Sequence, residues 1–233
     1  MATEIADGIW WFDLRGVNAY LVVDDGSSTD ETHRGEDVTL IDAGGPWSRR
    51  ALRQNLVDVG VDPRAVDRIA LTHYDLDHVG GLDSIGLDCP IYAGQPDAAI
   101  LQGDRSPGWT DRKAAFQSLT APFTTSPANP VETVSDGDTV GGLTVYTTPG
   151  HTRGHVAYVD EDRSVAFVGD LVRESGGRLE TSPWALSYDT SAVADSIRRL
   201  AELDLDIEIL AMGHGTPFVE RASERLADLA PQL

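Results

Sequence analysis

An α+β chain folded as a four-layer αββα sandwich is the class this sequence predicts, and three observations carry it. Strand-like segments rich in β-branched and aromatic residues cluster and then give way to helical segments, once in each half of the chain. Each half can therefore supply one sheet with helices on its outer face, and the two sheets can pack face to face. The length, 233 residues, suits one large domain with a substantial core and is short for two ordinary domains with a linker, so residues 1–233 are expected to form a single unit. No close internal repeat and no low-complexity segment breaks the pattern.

GIWWFDLRGVNAYLVVDD and DVTLIDAGG read as strands ending in Gly or Asp clusters, separated by the polar hairpin insertion GSSTDETHRGE. His33 in that insertion has no ligand-like neighbours and reads as solvated. From Ser48 to about Val59 the apolar Leu52, Leu56 and Val59 recur at helical spacing, before a VDP break and a strand at RIALT. PIYAG is a further strand and PDAAILQG a short helix. A long Pro-rich polar stretch from Gly103 to Pro130 follows, with one helical piece near RKAAFQSL; loops of this length commonly bind something. The second half offers strands at LTVYTTP, HVAYVD and SVAFVGD and a loop through SGGRLETSPWALSYD. A helix across SAVADSIRRLAEL, capped by Asp189 or Thr190, a strand at IEILAM, then GHGTPF and a terminal helix complete it.

Acids outnumber bases 38 to 18, and Lys113 is the only lysine. Such a charge repels phosphate backbones and anionic lipid, so nucleic acid and membranes are not expected partners and a small-molecule substrate is. Many acids with few lysines suit a salt-rich cytoplasm of the kind a halophilic archaeon maintains, because screening weakens self-repulsion. Cys89 stands alone and reads as a small buried hydrophobe in a reducing interior. MATEIADG lacks the basic flank and apolar run of a signal peptide, and no apolar run of membrane-spanning length occurs; a cytoplasmic location is expected.

Of six histidines, five fall in three short stretches: His73 and His78 in THYDLDHVGG, His151 and His155 in PGHTRGH, and His214 in MGHGTP. Each stretch follows a predicted strand and is bounded by Gly or Pro, so rigid elements present the side chains on loops. Imidazole and carboxylate together suit divalent zinc, iron or manganese. Asp170, closing SVAFVGD, is a fourth such strand end.

These residues resemble the metallo-β-lactamase fold hydrolases, including the glyoxalase II-like and lactonase-like branches. The resemblance spans nearly the whole chain, through LIDAG, the H-x-[HDE]-x-D-H loop, PGHTxGH, the strand-ending GD and the late GHG. It implies a metallo-β-lactamase-like sandwich holding two divalent metal ions, one on His73, Asp75 and His151, the other on Asp77, His78 and His214, with Asp170 bridging. Asp42 in LIDAG would hold the ligand loops, and Asp77 would also orient the nucleophile. The implied reaction is hydrolysis of an ester, thioester or lactone by a metal-bridging hydroxide.

One position departs from the common H-x-H-x-D-H form: Asp75 stands where a second histidine is usual. The extra carboxylate lowers the net charge of the centre and favours iron or manganese relative to a histidine there, with zinc still the first expectation. It also keeps open an iron-dependent redox enzyme, sulfur dioxygenase or di-iron reductase-like, and a non-catalytic metal-binding module stands as a third reading. His155 reads as a backbone-bonded histidine, Trp109 as a candidate substrate contact in the long loop, and Arg173 as a candidate for an anionic group. Trp10 and Trp11 read as strand and core residues.

Overall fold

The first sheet is laid down in chain order by β1 (Ala2–Ala6), β2 (Ile9–Asp13), β3 (Asn18–Asp24), β4 (Asp37–Ile41), β5 (Arg68–Ala70), β6 (Ile91–Gly94) and β7 (Val131–Val134). Pairing is antiparallel as far as β4 and parallel from β4 to β7. The parallel pairs need crossovers, and these carry α1 (Arg49–Asp58), α2 (Leu76–Val79), α3 (Asp97–Gln102) and α4 (Arg112–Thr120). The computed structural model describes residues 1–24, 37–84, 89–109, 111–124, 126–203 and 205–233, so the GSSTDETHRGE insertion with His33 lies outside the described residues.

The second sheet contains β8 (Thr139–Val140), β9 (Leu143–Thr147), β10 (Val156–Asp160) and β11 (Val165–Gly169). A separate hairpin of β12 (Val172–Ser175) and β13 (Arg178–Thr181) follows, then α5 (Thr190–Glu202), β14 (Ile209–Met212) and α6 (Ala222–Leu229). The sheet order is β14-β11-β10-β9-β8, with β14 parallel to β11.

Period-two alternation sorts side chains into three apolar layers. Ile9, Tyr20, Val22 and Ile41 from the first sheet meet Val156, Tyr158, Val165 and Phe167 from the second. Their neighbours Phe12, Leu21 and Leu40 face outward onto Leu52 and Leu56 of α1 and Ala98 and Leu101 of α3. On the far side Ala157, Val159, Ala166 and Val168 meet Val193, Ile197 and Leu200 of α5 and Leu226 of α6. Strands buried on both faces read as continuous apolar runs, and β10 and β11 are buried throughout. This is the four-layer αββα order the sequence predicts. Trp10 and Trp11 pack against the outer and inter-sheet layers respectively.

Asp189 caps α5, accepting from the backbone N–H groups of Ser191 and Ala192 at 2.9 and 3.1 Å. The stretch read as a loop through SGGRLETSPWALSYD instead begins inside the β12–β13 hairpin. β1, β7 and β8 are not evident in the sequence because each is short and only partly covered, so no apolar run marks it. Among the described residues no helix is long and apolar enough to cross a membrane.

The formal charge of −20 sits on this compact frame. The melting temperature is expected to rise as ionic strength goes from ~0.01 to ~1 M, because the screening length falls from ~30 to ~3 Å. A scan in potassium chloride checks this, and a flat or falling profile would show that self-repulsion is not what limits stability.

Candidate metal centre

Strand ends from both sheets meet at one edge of the sandwich. β4 ends at Ile41 and delivers Asp42, β5 leads into THYDLDHVGG, and β9 runs into PGHTRGH before β10 begins. β11 delivers Asp170 and β14 delivers His214. THYDLDHVGG turns tightly because Asp75 starts the one-turn helix α2, which carries Asp77 and His78. The glycines after it have a packing reason: a Cβ at Gly81 would lie 2.0 Å from the Ala43 carbonyl oxygen, so only glycine lets this turn close onto the DAGG loop. Gly213 plays the same part beside His214, where a Cβ would lie 2.0 Å from Asp170 Oδ1.

The structure brings together all seven residues singled out in the sequence. His73, Asp75 and His151 offer donor atoms that form one close group, as do Asp77, His78 and His214; His73, His78 and Asp170 form a third. Asp75 Oδ2 is 3.5 Å from His73 Nε2 and 3.1 Å from His151 Nε2. Asp170 lies between the groups, with Oδ1 3.3 Å from His78 Nε2, and Oδ2 3.2 Å from His214 Nε2 and 3.6 Å from His151 Nε2. Asp77 Oδ2 is 3.4 Å from His214 Nε2. Donors ~2.0–2.1 Å from a tetrahedral ion stand about 3.3 Å apart, so these separations fit a metal.

The outer nitrogens of the four histidines are all engaged, which turns the inner ones toward the centre. His78 Nδ1 bonds Asp42 Oδ2 at 2.8 Å, and His214 Nδ1 bonds the Gly16 carbonyl at 2.6 Å. Both partners only accept, so Nδ1 carries the proton when the ring is neutral. Thr72 donates its hydroxyl to Asp42 Oδ2 at 2.8 Å and is left to accept from His73 Nδ1 at 2.9 Å. His151 Nδ1 bonds Ser182 Oγ at 2.6 Å, which bonds Ser187 Oγ at 2.9 Å. Asp42 also accepts from the Thr72 backbone N–H at 2.9 Å, and it reaches these groups from a left-handed backbone, φ 57°. Among the described residues, His73 Nε2, His78 Nε2 and Asp170 Oδ1 are buried without a hydrogen-bond partner. Buried bare donors on converging side chains are what a cation site presents.

Burial opposes charge throughout the site, yet the carboxylates prevail on two histidines. Asp170 and Asp42 hold the His78 pKa well above the ordinary histidine range. Burial lowers that of His214, but bonds to Asp170 and Asp77 push it up to about 10 from 6.5. His151 goes the other way, lowered to about 4 by burial and by the Lys113 ammonium. A histidine whose pKa is raised in the folded state contributes stability that is present below the unfolded value and lost as pH rises through the folded one. Chelated, metal-free protein should therefore lose thermal stability between pH 6.5 and about 10. A bound metal replaces the proton, so the metal-loaded protein should lack this slope; a flat profile in the chelated protein would reject the His214 pairing.

Three features of the site were not evident in the sequence. Lys113 of α4 reaches the floor of the centre, where its ammonium bonds Asp75 and lies 2.8 Å from His151 Nε2. Its uniqueness as the sole lysine was the available signal. One turn later Gln117 donates to Asp75 Oδ1 at 3.1 Å and to the Tyr74 carbonyl at 2.5 Å. Asp97, the first residue of α3, accepts from Tyr74 N at 2.8 Å, Thr152 Oγ1 at 2.6 Å and Gly154 N at 3.1 Å, tying the two histidine loops together. Burial raises its pKa against these bonds.

The remaining candidates fall differently. His155 is buried and bonds Thr148 Oγ1 at 2.8 Å through Nδ1, a side-chain partner instead of the expected backbone one, and its Nε2 has none. Trp109 is 71% exposed and does not line the cleft above the metal donors; from the long stretch it is α4 that lines it, through Lys113 and Phe116. The helix is held down by Asp111–Arg153 at 3.0 Å and by Arg112 over the Trp184 ring. Arg173 pairs with Glu180 at 2.9 Å and lines an adjoining cavity that also reaches Asp170 and His214. The cleft itself, about 150 Å³, has Asp75, Asp77, Lys113, His151, Asp170 and His214 as its polar floor. Trp47, Phe116 and Leu186, at 54%, 43% and 46% exposure, form its apolar rim.

A four-layer sandwich with clustered histidines and aspartates at one sheet edge defines a class, and the sequence comparison agrees. The metallo-β-lactamase superfamily profile matches residues 12–214, and the chain belongs to that superfamily. It is 28% identical over 219 residues to the uncharacterized protein YobT of Bacillus subtilis (strain 168), covering 90% of this chain and 87% of that protein. Against the acyl-coenzyme A thioesterase MBLAC2 of Bos taurus it is 27% identical over 260 residues, covering 97% and 84%. Among solved structures, TTHA1623 in a di-iron-bound form superposes with a TM-score of 0.64 at 29% identity, covering 93% of this chain and 95% of that one. The metallo-β-lactamase family protein TTHA1429 of Thermus thermophilus superposes at 0.68 with 23% identity, covering 98% and 80%.

Proposed function

We propose that this protein is a metal-dependent hydrolase that cleaves an ester, thioester or lactone bond of a small molecule bearing an apolar acyl group. The observation that carries this reading is the convergence of the bare donors His73 Nε2, His78 Nε2 and Asp170 Oδ1 beneath an open cleft. In the full set, His73, Asp75 and His151 form one group of ligands and Asp77, His78 and His214 another, with Asp170 between them. This is the binuclear arrangement the family resemblance implies, and the number of ions retained turns on Lys113. A divalent cation held there would supply Lewis acidity and lower the pKa of a bound water toward neutrality. Zinc suits the four imidazoles, while the three carboxylates bring manganese and iron within range.

Asp77, on the cleft floor, is placed to orient the attacking water and to take its proton. The water oxygen bonds to the acyl carbon, the bond to the leaving oxygen or sulfur breaks, and the proton passes to that atom. No buried nucleophilic serine or cysteine is required. The apolar rim supports an acyl substituent, as does the thioesterase name carried by MBLAC2. The strong negative charge disfavours phosphodiesters. Phe116→Ala should raise KM for long-chain acyl substrates about tenfold while metal content stays unchanged; equal KM values across chain lengths would remove the rim from substrate recognition.

The test of the reading is a hydrolysis screen over thioesters, esters, lactones and phosphodiesters, on protein reconstituted separately with zinc, manganese and iron. Turnover of none of them by any metal form would overturn it. The likeness to a protein solved in a di-iron form supports a second reading, iron-dependent redox chemistry. A visible absorption band and oxygen consumption by the iron form, without hydrolysis, would select that one.

A further inference from the structure

We propose that Lys113 is itself one of the two cations of this centre, so that each chain retains a single divalent metal ion. The inference rests on the metal-dependent hydrolase reading and deepens it. The Lys113 ammonium bonds Asp75 Oδ2 and stands 2.8 Å from His151 Nε2, while those two atoms are 3.1 Å from each other. A metal bonded to both would lie ~2.0–2.2 Å from each and within a few ångströms of Nζ, where two unscreened cations repel. The ammonium already supplies the positive charge that this pair of donors would otherwise draw from a metal.

Helix α4 bonds both oxygens of Asp75. Lys113 takes Oδ2 and Gln117 takes Oδ1, and their i, i+4 spacing puts both on the face of α4 turned to the site. Lys113 is only 3% exposed, so its stem is packed and its ammonium is held at the floor of the cleft. The residue type fits the task. An ammonium is a compact point charge with three donors, whereas a guanidinium is a planar fork that the volume between two donors 3.1 Å apart does not admit. This chain uses arginine for every other such base and lysine only here.

The pattern of unsatisfied atoms points the same way. His151 Nε2 and both Asp75 oxygens have partners, and among the seven candidate ligands the bare buried atoms are those of His73, His78 and Asp170, which form one group. One divalent ion in that group, with His214 and Asp77 beside it, together with one ammonium, carries three positive charges against the three of Asp75, Asp77 and Asp170. Two divalent ions plus the same ammonium would leave a surplus of two. Two of the ammonium's three N–H bonds face Asp75 and His151. The third is left for the cleft that Lys113 lines, where it can donate to a substrate carbonyl oxygen as negative charge develops.

Metal stoichiometry separates the possibilities. The chelated full-length protein is titrated calorimetrically with zinc, and the gel-filtered product is assayed by elemental analysis. The unmodified protein should bind one equivalent tightly. Lys113→Met, which keeps the stem and removes the charge, should bind two. Asp75→His, which takes away the ammonium's carboxylate partner and supplies a neutral donor, should also move to two and serves if Lys113→Met does not fold. Two tight equivalents in the unmodified protein, or one in both variants, would overturn the proposal and leave the hydrolase reading standing. No tight zinc in any of the three would overturn both.

Discussion

His78→Ala is expected to abolish metal retention and to reduce turnover by at least ~10³-fold. His78 belongs to two of the three donor groups and presents a bare Nε2 to Asp170, while its Nδ1 is pinned by Asp42. Removing it leaves Asp170 Oδ1 with no neighbour on that side and frees the Asp42 carboxylate inside the protein. The folded state should survive, because the turn also rests on the His78 carbonyl accepting from Ala43 N at 2.8 Å, which alanine preserves. Elemental analysis and a hydrolytic assay on the same sample check it. Full metal content with full turnover would remove His78 from the centre.

Asp97→Ala is expected to destabilise the protein by about 3 kcal/mol or more. Three donors, Tyr74 N, Thr152 Oγ1 and Gly154 N, lose their acceptor together, and each buried unsatisfied group costs ~1–3 kcal/mol. Because Tyr74 lies between His73 and Asp75, and Thr152 beside His151, the loss should also weaken metal binding, by roughly 10–100-fold, as other losses of ligand-supporting bonds do. Asp97→Asn retains an acceptor and should be milder in both measures. Urea denaturation of chelated protein and zinc titration separate the two effects. An alanine variant as stable as the parent would mean that water replaces the carboxylate and that the two loops are held by other contacts.

The residues close in sequence to the metal donors were legible because motif chemistry is local. THYDLDHVGG, PGHTRGH, the Asp170 strand end and GHG each place a ligand type where a strand stops, and a strand end is visible in a short window of sequence. The layer order was legible for a similar reason. Strand clusters that give way to helical segments in each half of the chain are visible in local windows, and they imply two sheets with helices outside. β1, β7 and β8 escaped because partial burial leaves no apolar run, and the β12–β13 hairpin escaped because its residues are mostly polar and half-buried.

What only the tertiary structure decided is how partners distant along the chain converge. Lys113 and Gln117 are about forty positions from Asp75, and nothing in RKAAFQSL separates a helix facing the solvent from one whose face enters a metal centre. Trp109, the more conspicuous residue of the same stretch, points away, and the less conspicuous Phe116 lines the cleft. The same holds for Asp97, whose three partners lie 23, 55 and 57 residues away. The physical reason is common to all of them. The sequence by itself determined the chemistry that strand ends present, because covalent neighbours and backbone periodicity specify it. Which cation faces Asp75 was decided by how one crossover helix packs, and that depends on long-range contacts that no local pattern records.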